Sequence, residues 1–278
     1  MSEFEKFLET KDKVKLYWRG WESETDVKGS ICLIHGLGEH CNRYEDIAKY
    51  FNKEGFNLFA FDLRGHGQSQ GVRGDSPTFD QLLDDIGIFL NASLNLATGL
   101  PGFIYGHSLG GNLALNYLLR RKPKIAGAIV SAPALRLAFE PSRIKMISGR
   151  TLSKVLPTMA ISSGLDTKAL SRDSDVIKAY ENDPLVHDRV TGRMFYGFMD
   201  SGEWAIDHAS ELSIPTLLMH GSKDRLTSSE ASREFAKRAG DICEFVLWDG
   251  FYHELHNELD KALVYKYVLN WANKMIDK

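Results

Sequence analysis

Ser108 stands between two glycines in Gly106-His107-Ser108-Leu109-Gly110. Gly102 to Tyr105, just before it, is a short apolar run of strand character, and Leu113, Leu115, Leu118 and Leu119 after it follow a helical pattern. A strand that turns at once into a helix crowds its own backbone. The flanking positions must then lack side chains, and the central residue is held out with its hydroxyl forward. That is the geometry of a nucleophile elbow, G-x-S-x-G. Five residues arise easily by chance, so partners elsewhere in the chain must support the assignment. A serine hydroxyl is a poor nucleophile until a base takes its proton. The base in turn needs a carboxylate to fix its tautomer and stabilise the imidazolium that forms.

Both partners follow in the order serine, acid, histidine, each just past a strand-like run. Pro215 to His220 leads into Gly-Ser-Lys-Asp-Arg, which puts Asp224 on a turn. Ile242 to Trp248 leads into Asp-Gly-Phe-Tyr-His, which puts His253 on the next loop. Each has rivals. Asp224 alone also reads as an ordinary turn aspartate, and Asp249 also follows a strand, but too close to His253. His220, at a strand end before Gly221, reads as a buried histidine behind the site. His256 falls one turn further into the last helical stretch. An oxyanion needs N–H donors: Leu109, just after the serine at a helix start, offers one, and Leu37 in the loop His35-Gly36-Leu37-Gly38 another. His35 reads as the structural holder of that loop.

The elements that would position these residues alternate. Strand-like runs lie at Ser30 to Ile34, Asn57 to Asp62, Gly102 to Tyr105, Ile125 to Ser131, Pro215 to His220 and Ile242 to Trp248. Helical patterns lie at about 42–54, 77–97, 109–122, 228–240 and 257–275. Alternation of this kind predicts an α/β fold, a mostly parallel central sheet with helices on both faces. It lapses between about Leu135 and Asp207, where no strand-like run occurs. A stretch that long is not a bare loop in a compact domain, so residues 136–206 are read as an inserted helical cap, with 1–135 and 207–278 as the core domain. Within the cap Ile144, Ile147, Leu152, Val155, Leu156 and Met159 follow a helical stripe, interleaved with Arg143, Lys145, Arg150 and Lys154. Two readings stand: a stripe packed on the body, or a basic amphipathic face that touches membrane or admits lipid.

The 278 residues, 43% of them hydrophobic, suffice for one large domain with an insertion. A net charge of −3 with scattered cations supplies no field for nucleic acid. The charged start MSEFEKFLETKDKVK has no signal-peptide core, and no run is long enough to span a bilayer. Three cysteines without C-x-x-C spacing predict neither a disulfide scaffold nor a zinc site, and no metal is expected. The expected compartment is the cytoplasm, peripheral to membrane if the cap touches lipid.

Beyond the triad, His35-Gly36-Leu37-Gly38-Glu39-His40, Asp62-Leu63-Arg64-Gly65-His66-Gly67, Gly106 to Gly111, Asp183-Pro184-Leu185, Gly221 to Leu226 and Tyr252 to Glu258 occur in the chain. In these motifs, from about residue 14 to 275, it resembles the monoacylglycerol lipases and related lysophospholipases of the α/β-hydrolase fold. The resemblance implies an ester hydrolase for a single-chain lipid, with Ser108, Asp224 and His253 as triad and Leu37 and Leu109 as oxyanion donors. It further implies a polar pocket for glycerol at Glu39, Arg43, Tyr180 and His256. Read without it, Glu39 and Arg43 are also an exposed pair four apart on a helix. A lysophospholipase or general carboxylesterase with the same triad is the alternative, and acyl transfer to an alcohol would use the same residues. A non-catalytic binding protein would carry a broken triad, which this chain does not. No cofactor is required, because every step is proton transfer or addition.

Overall fold

The computed structural model describes residues 2–24, 26–140 and 142–277, without the side chains of residues 143–146. The strands of the main sheet are β1 (Ser2–Glu9), β2 (Lys15–Glu22), β3 (Gly29–Ile34), β4 (Phe56–Phe61), β5 (Gly102–His107), β6 (Gly127–Ser131), β9 (Thr216–Gly221) and β10 (Cys243–Trp248). They lie in the order β1-β2-β4-β3-β5-β6-β9-β10. The first two are antiparallel to their neighbours, and the six from β4 to β10 are parallel. Parallel strands need crossover helices, which cover both faces. On one side lie α1 (Glu45–Lys53) and α8 (Lys261–Ile276), and on the other α2 (Phe79–Leu96), α3 (Leu109–Arg121) and α7 (Ser229–Ala239).

Side chains of a strand alternate between faces, so each central strand feeds two separate cores. Cys32 and Ile34 join one apolar cluster while Ile31 and Leu33 join the other. The same division separates Ile104 from Phe103 and Tyr105, and Leu218 from Leu217 and Met219. Such strands read as unbroken apolar runs, which made them visible in the sequence. The first two strands were not visible: β1 carries Glu3, Glu5, Lys6 and Glu9, the charge that suits an unprotected edge. It is held by Phe4, whose ring lies edge-on to Trp18 at 4.9 Å.

Between β6 and β9 the chain leaves the main sheet and forms α4 (Arg143–Val155), β7 (Ala160–Ser162), α5 (Ser174–Asn182), β8 (Arg189–Thr191) and α6 (Gly192–Asp207). The short pair β7–β8 is a departure from the helix-and-loop expectation. Three residues are too few to display a period of two. α6 is anchored on the core, where Asn112 and Asn116 of α3 donate from Nδ2 to the Phe198 carbonyl (2.9 Å) and the Ser201 carbonyl (3.1 Å). α4 is different. Its apolar stripe does not pack on the body, as one reading expected: Ile147 is 69% exposed and Val155 72%. Of its basic residues, Arg150 is paired with Asp200 at 2.6 Å and the side chains of Arg143 and Lys145 lie outside the described residues, as does that of Ile144 in the stripe. The helix stops two residues before Pro157, where the missing N–H would break its ladder. At the other end of the chain the last helix begins at Lys261, and residues 255–257 form a separate 3-10 turn, so His256 stands before the helix and not within it.

Candidate active site

β5 delivers Ser108 at the elbow. Its backbone adopts φ 53° and ψ −116°, a conformation non-glycine residues avoid, and the surroundings must hold it there. The Ser108 N–H donates to the Ser131 carbonyl (3.0 Å), and its own carbonyl accepts from Ala134 N (2.9 Å) and Asn112 N (3.0 Å). The flanking glycines are required by contact. A Cβ on Gly106 would stand 2.5 Å from the Gly110 carbonyl oxygen, and one on Gly110 would stand 2.5 Å from that of His35 and closer still to that of Ile34.

β9 and β10 bring the other two members to the same end of the sheet. His253 Nδ1 donates to Asp224 Oδ2 at 2.7 Å. The carboxylate accepts only, so this contact fixes the proton on Nδ1 and leaves Nε2 as the basic nitrogen. Asp224 is closed off from solvent and heavily bonded: Oδ1 accepts from Leu226 N (2.8 Å) and Thr227 N (3.1 Å), and Oδ2 also from Thr227 Oγ1 (2.9 Å). Burial disfavours its charge, but the His253 and His220 partners outweigh this and hold the carboxyl well below the usual range. For His253 burial works downward, and the Asp224 charge and hydrogen bond reverse it, raising the imidazole. The rival Asp249 accepts instead from Ser222 Oγ at 3.0 Å, and the rival histidine His220 lies behind Asp224, buried as its place at the strand end suggested.

Ser108 and His253 face one cavity of about 430 Å³, along with Leu37 and Leu109. Among the described residues no hydrogen bond joins Ser108 Oγ to His253. Such bonds are often long in unliganded hydrolases and tighten as substrate arrives. The Leu37 and Leu109 N–H groups likewise donate no hydrogen bond among the described residues. His35 has the structural role expected of it: Nδ1 donates to the Gly36 carbonyl (2.7 Å) and Nε2 accepts from Leu63 N (2.9 Å).

The four residues tied to a glycerol pocket divide. Glu39 and Tyr180 line the cavity, whereas Arg43 and His256 do not. Glu39 and Arg43 are not the exposed helical pair that was one alternative, because both are buried. Glu39 Oε1 accepts from Gly36 N (2.6 Å) and Tyr44 Oη (2.8 Å), and Oε2 from Arg43 Nη1 (2.5 Å). Arg43 forks onto Glu254, 2.8 Å at each nitrogen, and its guanidinium lies over the Tyr180 ring. Arg43 thereby ties the loop of Gly36 and Glu39 to the loop of His253. Its charge holds Glu254 low against the effect of burial. His256 stacks on Tyr44 at 4.7 Å and touches His107 edge-on at 4.8 Å; burial pushes it down to about 3, so its ring is neutral. Glu254 and Thr227 escaped notice in the sequence. The only signals were adjacency to His253 for one and an Asp-x-x-Thr turn for the other.

Away from its polar end the cavity is apolar, walled by Leu137, Leu152, Leu156, Met159, Ile161 and Phe198 among others. Among the described residues no group of ligands could hold a metal ion, and no helix is long and apolar enough to cross a membrane.

Comparison with known proteins identifies the family and the fold. The Hydrolase_4 family model, described as serine aminopeptidase S33, matches residues 25–260. A monoacylglycerol lipase of Mycolicibacterium smegmatis is 31% identical over 93% of this chain and 92% of its own length. An abhydrolase domain-containing protein of Dictyostelium discoideum is 38% identical over 97% of this chain, which spans only 29% of that protein. The crystal structure of a monoacylglycerol lipase from Paleococcus ferrophilus superposes with a TM-score of 0.85 at 31% identity, covering 94% of this chain and 98% of that one.

Proposed function

The chain belongs to the Hydrolase_4 family and is a serine hydrolase of the α/β-hydrolase fold, and from that premise we propose that it hydrolyses monoacylglycerols through an acyl-enzyme on Ser108. His253 Nε2 takes the Ser108 proton as Oγ adds to the ester carbonyl. The Leu37 and Leu109 N–H groups receive the oxyanion, a contribution of about 3 kcal/mol for each donor. His253 then gives its proton to the departing glycerol oxygen, and water repeats the sequence to release the fatty acid. The observation that carries this reading is the shared cavity of Ser108 and His253, apolar away from its polar end and backed by the 2.7 Å His253–Asp224 contact.

The charge at the polar end favours a neutral head group over the phosphate of a lysophospholipid. No lysine or arginine lines the cavity among the described residues, and its acidic liners are Glu39 and Glu254. Arg43, which lies against both carboxylates, is already engaged by them. An anionic leaving group would therefore meet carboxylates and no available counter-charge. The test is a panel of 1-monoacylglycerol and lysophosphatidate with one acyl chain, on the parent and on Glu254→Gln. The parent should prefer the monoacylglycerol, and the variant, with Arg43 half released, should shift the kcat/KM ratio toward lysophosphatidate by about tenfold. Preference for the phosphate ester by the parent would reject the neutral pocket.

Residues 136–206 act in this reading as a lid that meets lipid. Leu152, Leu156, Met159 and Ile161 wall the cavity and are also exposed, which supports an apolar rim through which a single chain passes from a lipid surface. The Ile147→Asp, Val155→Asp double variant should slow hydrolysis of monoacylglycerol in vesicles several-fold while a water-soluble short-chain ester changes by less than about twofold. Equal losses on both substrates would argue against surface contact. A cytosolic, membrane-peripheral location agrees with the buried, unpaired Cys32, Cys41 and Cys243, and cell fractionation tests it.

A further inference from the structure

His220 is fully buried at the end of β9, a costly place for an imidazole unless both nitrogens are satisfied. They are. Nε2 lies 3.0 Å from Asp224 Oδ2 and 3.2 Å from the Thr227 carbonyl oxygen, both acceptors, so the ring proton resides there. Nδ1, then an acceptor, receives the Ser232 Oγ hydrogen at 2.8 Å from α7. Asp224 Oδ2 is therefore shared between two imidazole N–H groups, one from His253 and one from His220. We infer that His220 is a positioning residue for the reaction: it fixes the carboxylate and takes up part of its charge, so that His253 is left a weaker base than an undivided carboxylate would make it. The inference rests on the triad reading above.

The sign follows from electrostatics. A donor removed from Oδ2 concentrates the carboxylate charge on His253, stabilises the imidazolium and moves the acid limb of kcat/KM to higher pH. The other ionisable groups facing His253 are Glu254, Glu39, His107 and His256, and among the described residues no hydrogen bond or ring contact joins any of them to His220. Among the described residues His220 meets one charged group, Asp224.

His220→Asn places its amide near the former Nδ1 and loses the donor to Asp224, whereas His220→Gln keeps a donor near the Nε2 position. The acid limb should rise by about 0.5–1 pH unit in His220→Asn and stay near the parent value in His220→Gln. An unmoved limb with a uniform loss of rate, a fall of the limb, or equal shifts in both variants would overturn the inference. If His220→Asn does not fold, 15N NMR of the histidines in the parent protein decides: protonation of His220 on Nε2 agrees, and on Nδ1 contradicts. Asp224→Asn serves as the control on the triad itself. If it retains parent-like turnover the triad reading has failed, and if it is inactive while the limb of His220→Asn is unmoved only the role of His220 has.

Discussion

Ser108→Ala lowers kcat for monoacylglycerol by about 10⁴- to 10⁶-fold and leaves the far-ultraviolet circular dichroism and melting temperature close to those of the parent. The loss is this large because the variant retains the Leu37 and Leu109 donors and the cavity but has no atom to form the acyl bond. The fold survives because the hydroxyl bears no weight: the elbow is held by the Ser108 backbone through Ser131, Ala134 and Asn112. Alanine tolerates φ 53° no better and no worse than serine. Retention of a tenth or more of the activity would remove Ser108 from the chemistry.

Asp224→Asn should cost about 10⁴-fold in kcat with little change in KM, and the reason lies in how the carboxylate is held. Leu226 N and Thr227 N both donate to Oδ1, so the asparagine oxygen is claimed at that position. Its amino group must then point where Oδ2 was, toward His253 Nδ1 and His220 Nε2. A donor facing Nδ1 drives the His253 proton to Nε2, the nitrogen that must accept from serine. Stopped-flow measurement of acylation checks this. An asparagine variant that acylates at the parent rate would show that the 2.7 Å contact does not set the tautomer.

The strand ends that carry Ser108, Asp224 and His253 were more legible in the sequence than β1 or the short strands β7 and β8. Ser108 and Asp224 were readable because each follows a strand buried on both faces, and such strands are continuous apolar runs; His253 follows the half-exposed edge strand β10, whose sequence is still largely apolar. Position after a strand also separated His253 from His220, and distance from His253 along the chain separated Asp224 from Asp249. β1 was hidden because an edge strand can carry charge on alternate residues without exposing core, and the cap strands because they are three residues long. The apolar period of α4 said helix but not what it faces; the helix turns Ile147 and Val155 outward, where a sequence can register only that they are apolar. Arg43 was assigned to a head-group pocket by family likeness, and it lies behind the cavity wall because Glu254, 211 positions away in the chain, closes over it. Contacts that distant leave no local pattern. His220 was legible as buried and not as bonded to Asp224, since the turn that folds the aspartate back onto it is formed by Leu226 and Thr227.

Covalent capture identifies the nucleophile. The protein is incubated with a long-chain alkyl fluorophosphonate, which mimics the tetrahedral adduct, and the labelled peptide is sequenced by mass spectrometry. One adduct is expected, on Ser108, formed rapidly in the parent, slowed by orders of magnitude in His253→Ala and absent from Ser108→Ala. An adduct on another residue, or an unlabelled enzyme that still turns over ester, would contradict it.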